Sequence, residues 1–181
     1  RKIISPIDGS TVVGVVSDAQ TEGLALAMAA AQTAFRHWSR QPVDDRAACL
    51  DKAAQQLEAE APRWLHLLQI EAGKTLADAV SEWREAIDFL RYYAALARTR
   101  WEAPQLLRGP AGEDNKLYCS GRGVFVCISP WNFPFAIVTG PIAAALVSGY
   151  RVLPQSAARP PPPAEARGPR PHAWRHPAVC W

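Results

Sequence analysis

The sequence predicts an α/β protein in which several helices come first and one β-α-β step follows. Three observations carry this. Apolar residues recur every three or four positions between Thr21 and Trp101, the period of helices with one buried face. The run from Val124 to Ile128 is apolar on both faces, as a buried parallel strand would be. Small residues from Pro134 to Gly149 then make a helix, and "YRVL" (Tyr150–Leu153) opens another strand.

Taken in order, "SPIDGSTVVGVVSDA" has turn residues at Pro6 and Asp8-Gly9 and a β-branched run from Thr11 to Val16, an extended arm or hairpin. Thr21 is a candidate N-cap for a helix whose face is Leu24, Met28, Ala31, Phe35 and Trp38. Pro42 interrupts, and Asp44 or Asp45 opens a second helix with Ala47, Leu50, Ala54 and Leu57 inside. Pro62 suits the first turn of a third helix, with Trp64, Leu65, Leu68 and Ile70 inside and a stop near Gly73. Thr75 or Asp78 starts a long fourth helix. Its core face is Ala79, Trp83, Ala86, Ile87, Leu90 and Tyr93, while Glu82, Arg84, Glu85, Asp88 and Arg91 cover the other face. Pro104 to Asn115 reads as a loop, followed by a short strand, a turn at Ser120-Gly121, and the apolar strand. The last helix should bend at Gly140-Pro141.

The 181 residues are 49% hydrophobic and 20% charged, the balance of a soluble globular chain. No apolar run reaches the roughly 18 residues needed to span a bilayer; Phe133 to Val147 is short and broken by Pro134, Gly140 and Pro141. No signal peptide is visible, and "RKIISPIDGS" lacks a Met, so the chain reads as processed or as an excerpt. The net charge of +3 resides beyond Leu153, where four Arg meet one Glu; residues 1–153 hold 16 charges of each sign. A neutral body gives no electrostatic reason to bind nucleic acid or an anionic membrane. Cys49, Cys119, Cys127 and Cys180 show no metal-ligand spacing, so free thiols in a reducing cytoplasm are expected and no metal.

Several motifs reduce to bland readings. "EAGKT" (Glu71–Thr75) lacks a phosphate-binding loop's first Gly, since Leu68 stands there, so Gly73 reads as a C-cap and Lys74 as a solvated charge. "GRG" (Gly121–Gly123) has Val126 where a dinucleotide fingerprint needs Gly, so these glycines read as a tight turn. Cys119 and Cys127 read as inert core thiols, and His37 and His66 as surface or boundary residues.

"ISPWNFP" (Ile128–Pro134) is different. An apolar strand ends there and a helix begins, and the carboxyl end of a parallel strand beside a helix N-terminus is where open α/β sheets bind ligands. Backbone carbonyls and amides are expected free there, and Asn132 offers a neutral donor to a developing oxyanion. Spacing alone leaves a second reading open, in which Asn132 helps cap the helix and Trp131 packs.

"GVFVCISPWNFPFAIVTGPIAAALVSG" closely resembles the aldehyde dehydrogenase superfamily, and "EAGKTLADAVSEWREAIDFLRYYAALAR" and "AAAQTAFRHWSRQPVDDRAACLDKAAQQLE" are similar to its N-terminal helices. "REAIDFLRYYA" followed by "GRGVFVCISPWNFP" most resembles the L-glutamate γ-semialdehyde dehydrogenase half of bifunctional proline-utilisation proteins. The resemblance covers residues 1–153. It implies the N-terminal helices and the first β-α-β step of a Rossmann-like nucleotide-binding domain, truncated. It implies oxidation of an aldehyde with NAD or NADP through a Cys thioester, with a Glu base. It places Asn132 as the side-chain donor of the oxyanion hole, with Ile128, Ser129, Pro130 and Trp131 bordering the cofactor mainly through backbone. A homo-oligomer is implied for the full-length protein.

The family continues with Asn, a short strand and Lys-Pro, whereas this chain has Tyr150 and then "RVLPQSAARPPPP" with no Lys after Lys116. Eight of the last 28 residues are Pro, a composition that cannot offset its ordering entropy. The expected organisation is a dehydrogenase part over 1–153 and a Pro/Arg-rich tail over 154–181, disordered or out of frame. Lacking nucleophile and base, the chain is expected to be inactive alone. The competing reading is a non-enzymatic helical interaction module with a proline-rich partner-binding tail.

Overall fold

A computed structural model describes residues 2–17 and 19–156. Strands β1 (Lys2–Ile4) and β2 (Val12–Val15) form an antiparallel hairpin, and helices α1 (Thr21–Trp38), α2 (Val43–Ala59), α3 (Ala61–Ala72) and α4 (Leu76–Trp101) follow. A second antiparallel hairpin joins β3 (Gln105–Leu107) to β4 (Asn115–Leu117). Strand β5 (Val124–Ser129), helix α5 (Ala136–Val147) and strand β6 (Arg151–Ser156) then make the β-α-β step, with β5 and β6 parallel from Val124 opposite Arg151 to Ser129 opposite Ser156. The α/β class and the helices-first order are as the sequence predicts. Among the described residues no helix is long and apolar enough to cross a membrane.

The helical periods place the core. Leu50, Ala54, Ile87, Leu90, Ala94, Ala143 and Val147 pack where α2, α4 and α5 meet. A second cluster of Trp64, Leu68, Ala79, Ala86, Phe135 and Ala136 joins α3 and α4 to the start of α5, with the Trp64 and Phe135 rings stacked at 4.9 Å. Gly140 faces Phe89, where an added Cβ would lie 3.3 Å from the ring, so a glycine there lets α5 lie close to α4.

Caps and turns account for the ends of the elements. Gly73 closes α3 at φ 66°, and Thr75 caps α4 by accepting from the Asp78 amide at 3.2 Å. Gly149, at φ 85°, ends α5 while the Tyr150 amide donates to the Ala145 carbonyl and the Gly149 amide to that of Leu146, a Schellman closure. The hairpin arm is fastened to α3 by the Ser5 hydroxyl, which donates to the Ile70 carbonyl at 2.6 Å.

Several expectations are corrected. Thr21 is the first residue of α1 and Gln20 the cap, and Leu24 lies exposed instead of facing the core. The segment read as a loop from Pro104 to Asn115 contains strand β3, and the predicted short strand that follows, β4, pairs with β3 and not with β5. Gly121 lies against the Gly149 backbone, where a Cβ would run into the Gly149 carbonyl; close approach, more than a tight turn, explains it. Strand β5 is half uncovered, with Phe125, Val126 and Ile128 exposed. Strand β6 passes Leu153 and runs through Pro154 to Ser156. Proline is tolerated because β6 pairs only with β5 among the described residues, leaving the other edge without a ladder to break. Residues 157–181, with Cys180 and most of the Pro/Arg-rich segment, lie outside the described residues.

Two predictions follow from the packing. Leu50 is 2% exposed at the α2–α4 contact, so Leu50→Ala should lower unfolding free energy by about 2–5 kcal/mol in a urea titration. Glu71, in the last turn of α3, has its carboxyl pushed up from 4.5 to about 7 by burial. The folded state then holds a proton that the unfolded state has lost, so this contribution to stability is complete below pH 4.5 and declines as pH rises toward about 7. Glu71→Gln should remove that decline, seen as a smaller loss of stability between about pH 5 and about pH 8 than in the parent chain.

Candidate functional site at the end of strand β5

Strand alternation decides which residues of the motif face outward. Cys127 and Ser129 are buried, while Val126 and Ile128, on the opposite face, are exposed. Ser129 is 1% exposed, and its hydroxyl lies 3.1 Å from the Pro130 carbonyl and 3.3 Å from that of Pro134. It therefore draws together the two ends of the turn that leads into α5. Within that turn, Pro130 is half-buried, and Trp131, Asn132 and Phe133 are exposed. Asn132 is exposed, its amide makes no hydrogen bond to another described residue, and no side chain of the turn caps α5, so it does not serve as a cap.

A buried carboxylate organises the far side of the turn. Glu82, on α4, is 1% exposed and accepts from the Phe135 amide at 2.7 Å and the Ala136 amide at 3.2 Å through the same oxygen, Oε1. Its other oxygen, Oε2, has the Lys74 Nζ 2.7 Å away as an ion-pair partner, without a well-aligned hydrogen bond. A carboxylate at a helix N-terminus meets the positive end of the helix dipole and satisfies amides that have no partner within the helix. Lys74, whose side chain is 13% exposed, also lies 4.4 Å from the centroid of the Phe133 ring, a cation–π contact.

Two expectations change here. Lys74 is not a solvated charge, and Glu82 does not lie on the solvated face of α4; the two form a buried pair. The Phe135 and Ala136 amides expected to be free for a ligand are already bonded. Glu82 could have been found in the sequence, since it lies three residues from Ala79 and four from Ala86, in phase with the core face. The structure brings Ile128, Ser129, Pro130, Trp131 and Asn132 together at the end of β5, but turns Ser129 inward. His37 and His66 are exposed, as expected.

The family model described as "Aldehyde dehydrogenase family" matches residues 1–166. The bifunctional protein PutA of Klebsiella aerogenes is 38% identical over 161 residues, covering 89% of this chain and 11% of that protein. The 1-pyrroline-5-carboxylate dehydrogenase of Geobacillus sp. (strain WCH70) is 39% identical over 150 residues, 83% of this chain and 29% of that one. Among solved structures, proline utilization A (PutA) of Bradyrhizobium japonicum superposes with TM-score 0.76 at 49% identity, covering 78% of this chain and 15% of that chain. A betaine aldehyde dehydrogenase point mutant of Staphylococcus aureus, in complex with NAD+, superposes with TM-score 0.79 at 25% identity over 87% of this chain and 32% of that chain. The chain thus spans about a tenth to a third of the length of the proteins it matches.

Cys127, two residues before Ser129 on β5, is buried, and burial pushes its thiol pKa up, which disfavours the thiolate that attacks carbonyls. Cys49 and Cys119 are both exposed, which corrects the reading of Cys119 as a core thiol. In a thiol-labelling experiment mapped by peptide mass, Cys49 and Cys119 should label in the folded protein, and Cys127 only after denaturation.

Proposed function

The chain belongs to the aldehyde dehydrogenase family, and from that premise we propose that it forms the N-terminal portion of an enzyme that oxidises an aldehyde with a nicotinamide cofactor. L-Glutamate γ-semialdehyde is the proposed aldehyde and glutamate the product, as in proline catabolism, because the relatives include PutA proteins and 1-pyrroline-5-carboxylate dehydrogenases.

The observation that carries this reading is the exposed Asn132, held in the turn at the carboxyl end of β5 with its amide unused by other described residues. A neutral amide N–H stabilises an oxygen as it gains charge, a contribution of a few kcal/mol in comparable sites. Ile128 and Trp131 are 61% and 45% exposed and supply an apolar border for a flat cofactor ring. Ser129 and Pro130 contribute backbone only, since the Ser129 hydroxyl is engaged within the turn. NAD or NADP would supply the hydride acceptor, and these residues fit one side of it. The Phe135 and Ala136 amides at the start of α5 are not available to its phosphates, because both donate to Glu82.

No described cysteine is suited to attack a carbonyl beside Asn132: Cys127 is buried with a raised pKa, Cys49 lies on α2 and Cys119 in the segment after β4. The chain alone is therefore proposed to be inactive, with nucleophile and base supplied by sequence like that of its longer relatives. Homo-oligomerisation is proposed for that longer form, and exposed free thiols suit a cytoplasmic setting. The Pro/Arg-rich segment is proposed to arise from a change of reading frame near Leu153. Reading the coding DNA across Gly149–Trp181 in three frames tests this, with recovery of a Lys-Pro strand as the expected result.

The activity itself is tested in two arms. The purified chain with the semialdehyde and NAD should form no NADH above background, and turnover would refute its incompetence. Residues 1–153 grafted in place of the matching segment of a 1-pyrroline-5-carboxylate dehydrogenase should support turnover. There, Asn132→Ala should lower kcat by about 10²–10³-fold with KM little changed. An unchanged kcat would remove Asn132 from the oxyanion site.

A further inference from the structure

Asn132 makes no hydrogen bond to another described residue, yet its donor must point in one direction to be useful. Whatever fixes that direction acts on the backbone around it. On the strand side, the Ser129 hydroxyl bridges toward the Pro130 and Pro134 carbonyls. On the helix side, three contacts converge from α4 and the α3–α4 connection. Glu82 Oε1 takes the amides of Phe135 and Ala136, Lys74 Nζ pairs with Glu82 Oε2, and the same ammonium lies over the ring of Phe133. Phe133 is the residue directly after Asn132.

We propose that Lys74 and Glu82 are positioning residues: a buried ion pair that holds the Phe133–Ala136 backbone and so fixes the direction in which Asn132 presents its amide. The catalytic consequence rests on the reading of Asn132 as the oxyanion donor; the mechanical coupling does not. Each partner has a distinct part. Glu82 is the acceptor that orders the first turn of α5, through hydrogen bonds strengthened by its charge. Lys74 compensates that charge. An unpaired carboxylate buried behind the turn would oppose negative charge growing on an oxygen in front of Asn132, and low surrounding polarity would magnify the effect. The pair thus lets a carboxylate be used as a structural clamp without placing net negative charge behind the reaction site. Its burial also means that removing one partner alone strands the other, so the test changes both.

The experiment is amide hydrogen exchange and side-chain amide NMR on the 181-residue chain, which require no turnover and so stand or fall separately from the oxyanion assignment. Lys74→Met with Glu82→Leu replaces the pair by apolar side chains of similar size and removes the acceptor. Exchange at Phe135 and Ala136 should then rise about tenfold or more, while amides of Leu50 and Leu90 in α2 and α4 hold their protection within about twofold. The Asn132 side-chain amide resonances should move in the same variant. Lys74→Met with Glu82→Gln keeps a neutral acceptor oxygen and should restore both the protection and the Asn132 resonances toward those of the parent. Unchanged exchange at Phe135 and Ala136, a loss shared equally by α2 and α4, or Asn132 resonances that do not respond would each overturn the proposal.

Discussion

Helix α5 is held at both ends by a charged side chain of the sign its dipole requires. At its N-terminus the Glu82 carboxylate receives two backbone amides. At its C-terminus the Arg46 guanidinium donates from Nε to the Val147 carbonyl at 2.9 Å and also reaches the Gln41 carbonyl, while the Trp38 indole donates to Leu146 at 2.8 Å. Both charged groups are buried, where such hydrogen bonds are strong when made and costly when lost. The arrangement matters because α5 itself is apolar nearly all round, with only Thr139 polar among its side chains. A helix of that kind can pack in several rotations with similar burial. Its ends are what distinguish one placement from another, and β5 and β6 are tied to those ends.

The same constraint explains how a sheet of only two described strands can hold the candidate site in place. Two paired strands are marginal by themselves, and one face of β5 is left open at Val126 and Ile128. The position of β5 is instead inherited from α5, which is wedged into the α2–α4 core through Ala143 and Val147. At the return end, Gly149 and Gly121 let the chain cross close to its own backbone before β6 begins. Stability at the motif is thus supplied by helices remote from it, and the turn is free to expose Trp131, Asn132 and Phe133.

How far this was legible in the sequence varies by residue. The helices α2 to α4 announce themselves because Leu50, Ala54, Leu68, Ala79, Ala86 and Leu90 repeat with a single period and little competition. The β-α-β step was legible from the apolar strand and small-residue helix. Strand β4 was legible as a short strand, but its partner β3 was not, because β3 is three residues long and wholly exposed, so no alternation marks it. Pro154 hid the end of β6, since proline signals a strand end unless one edge is unpaired. At the site, the motif named the turn, but residue type misled for its support. Lys and Glu are almost never fully buried unless paired, so Lys74 and Glu82 read as solvent-facing. Their pairing depends on a contact between α4 and the segment before it that no local pattern encodes.

The occupied helix terminus bears on why an asparagine would suit the role proposed for it in this turn. A helix N-terminus beside a parallel strand is ordinarily the place where an anionic oxygen is received, through unpaired amides and the dipole together. Here Glu82 has taken that position from within the protein, at 2.7 Å from the Phe135 amide. The donor left exposed is the Asn132 side-chain amide, which belongs to the turn and not to the helix and on the proposed reading would receive the substrate oxygen. Asparagine suits this because its amide donates without charge, so it neither pairs with Glu82 nor competes with Lys74 for it. A Lys or Arg at position 132 would add net charge to a turn whose buried pair is already balanced, and an Asp would donate nothing when ionised. The clamp that makes the turn rigid and the neutrality of its donor are therefore two sides of one electrostatic arrangement.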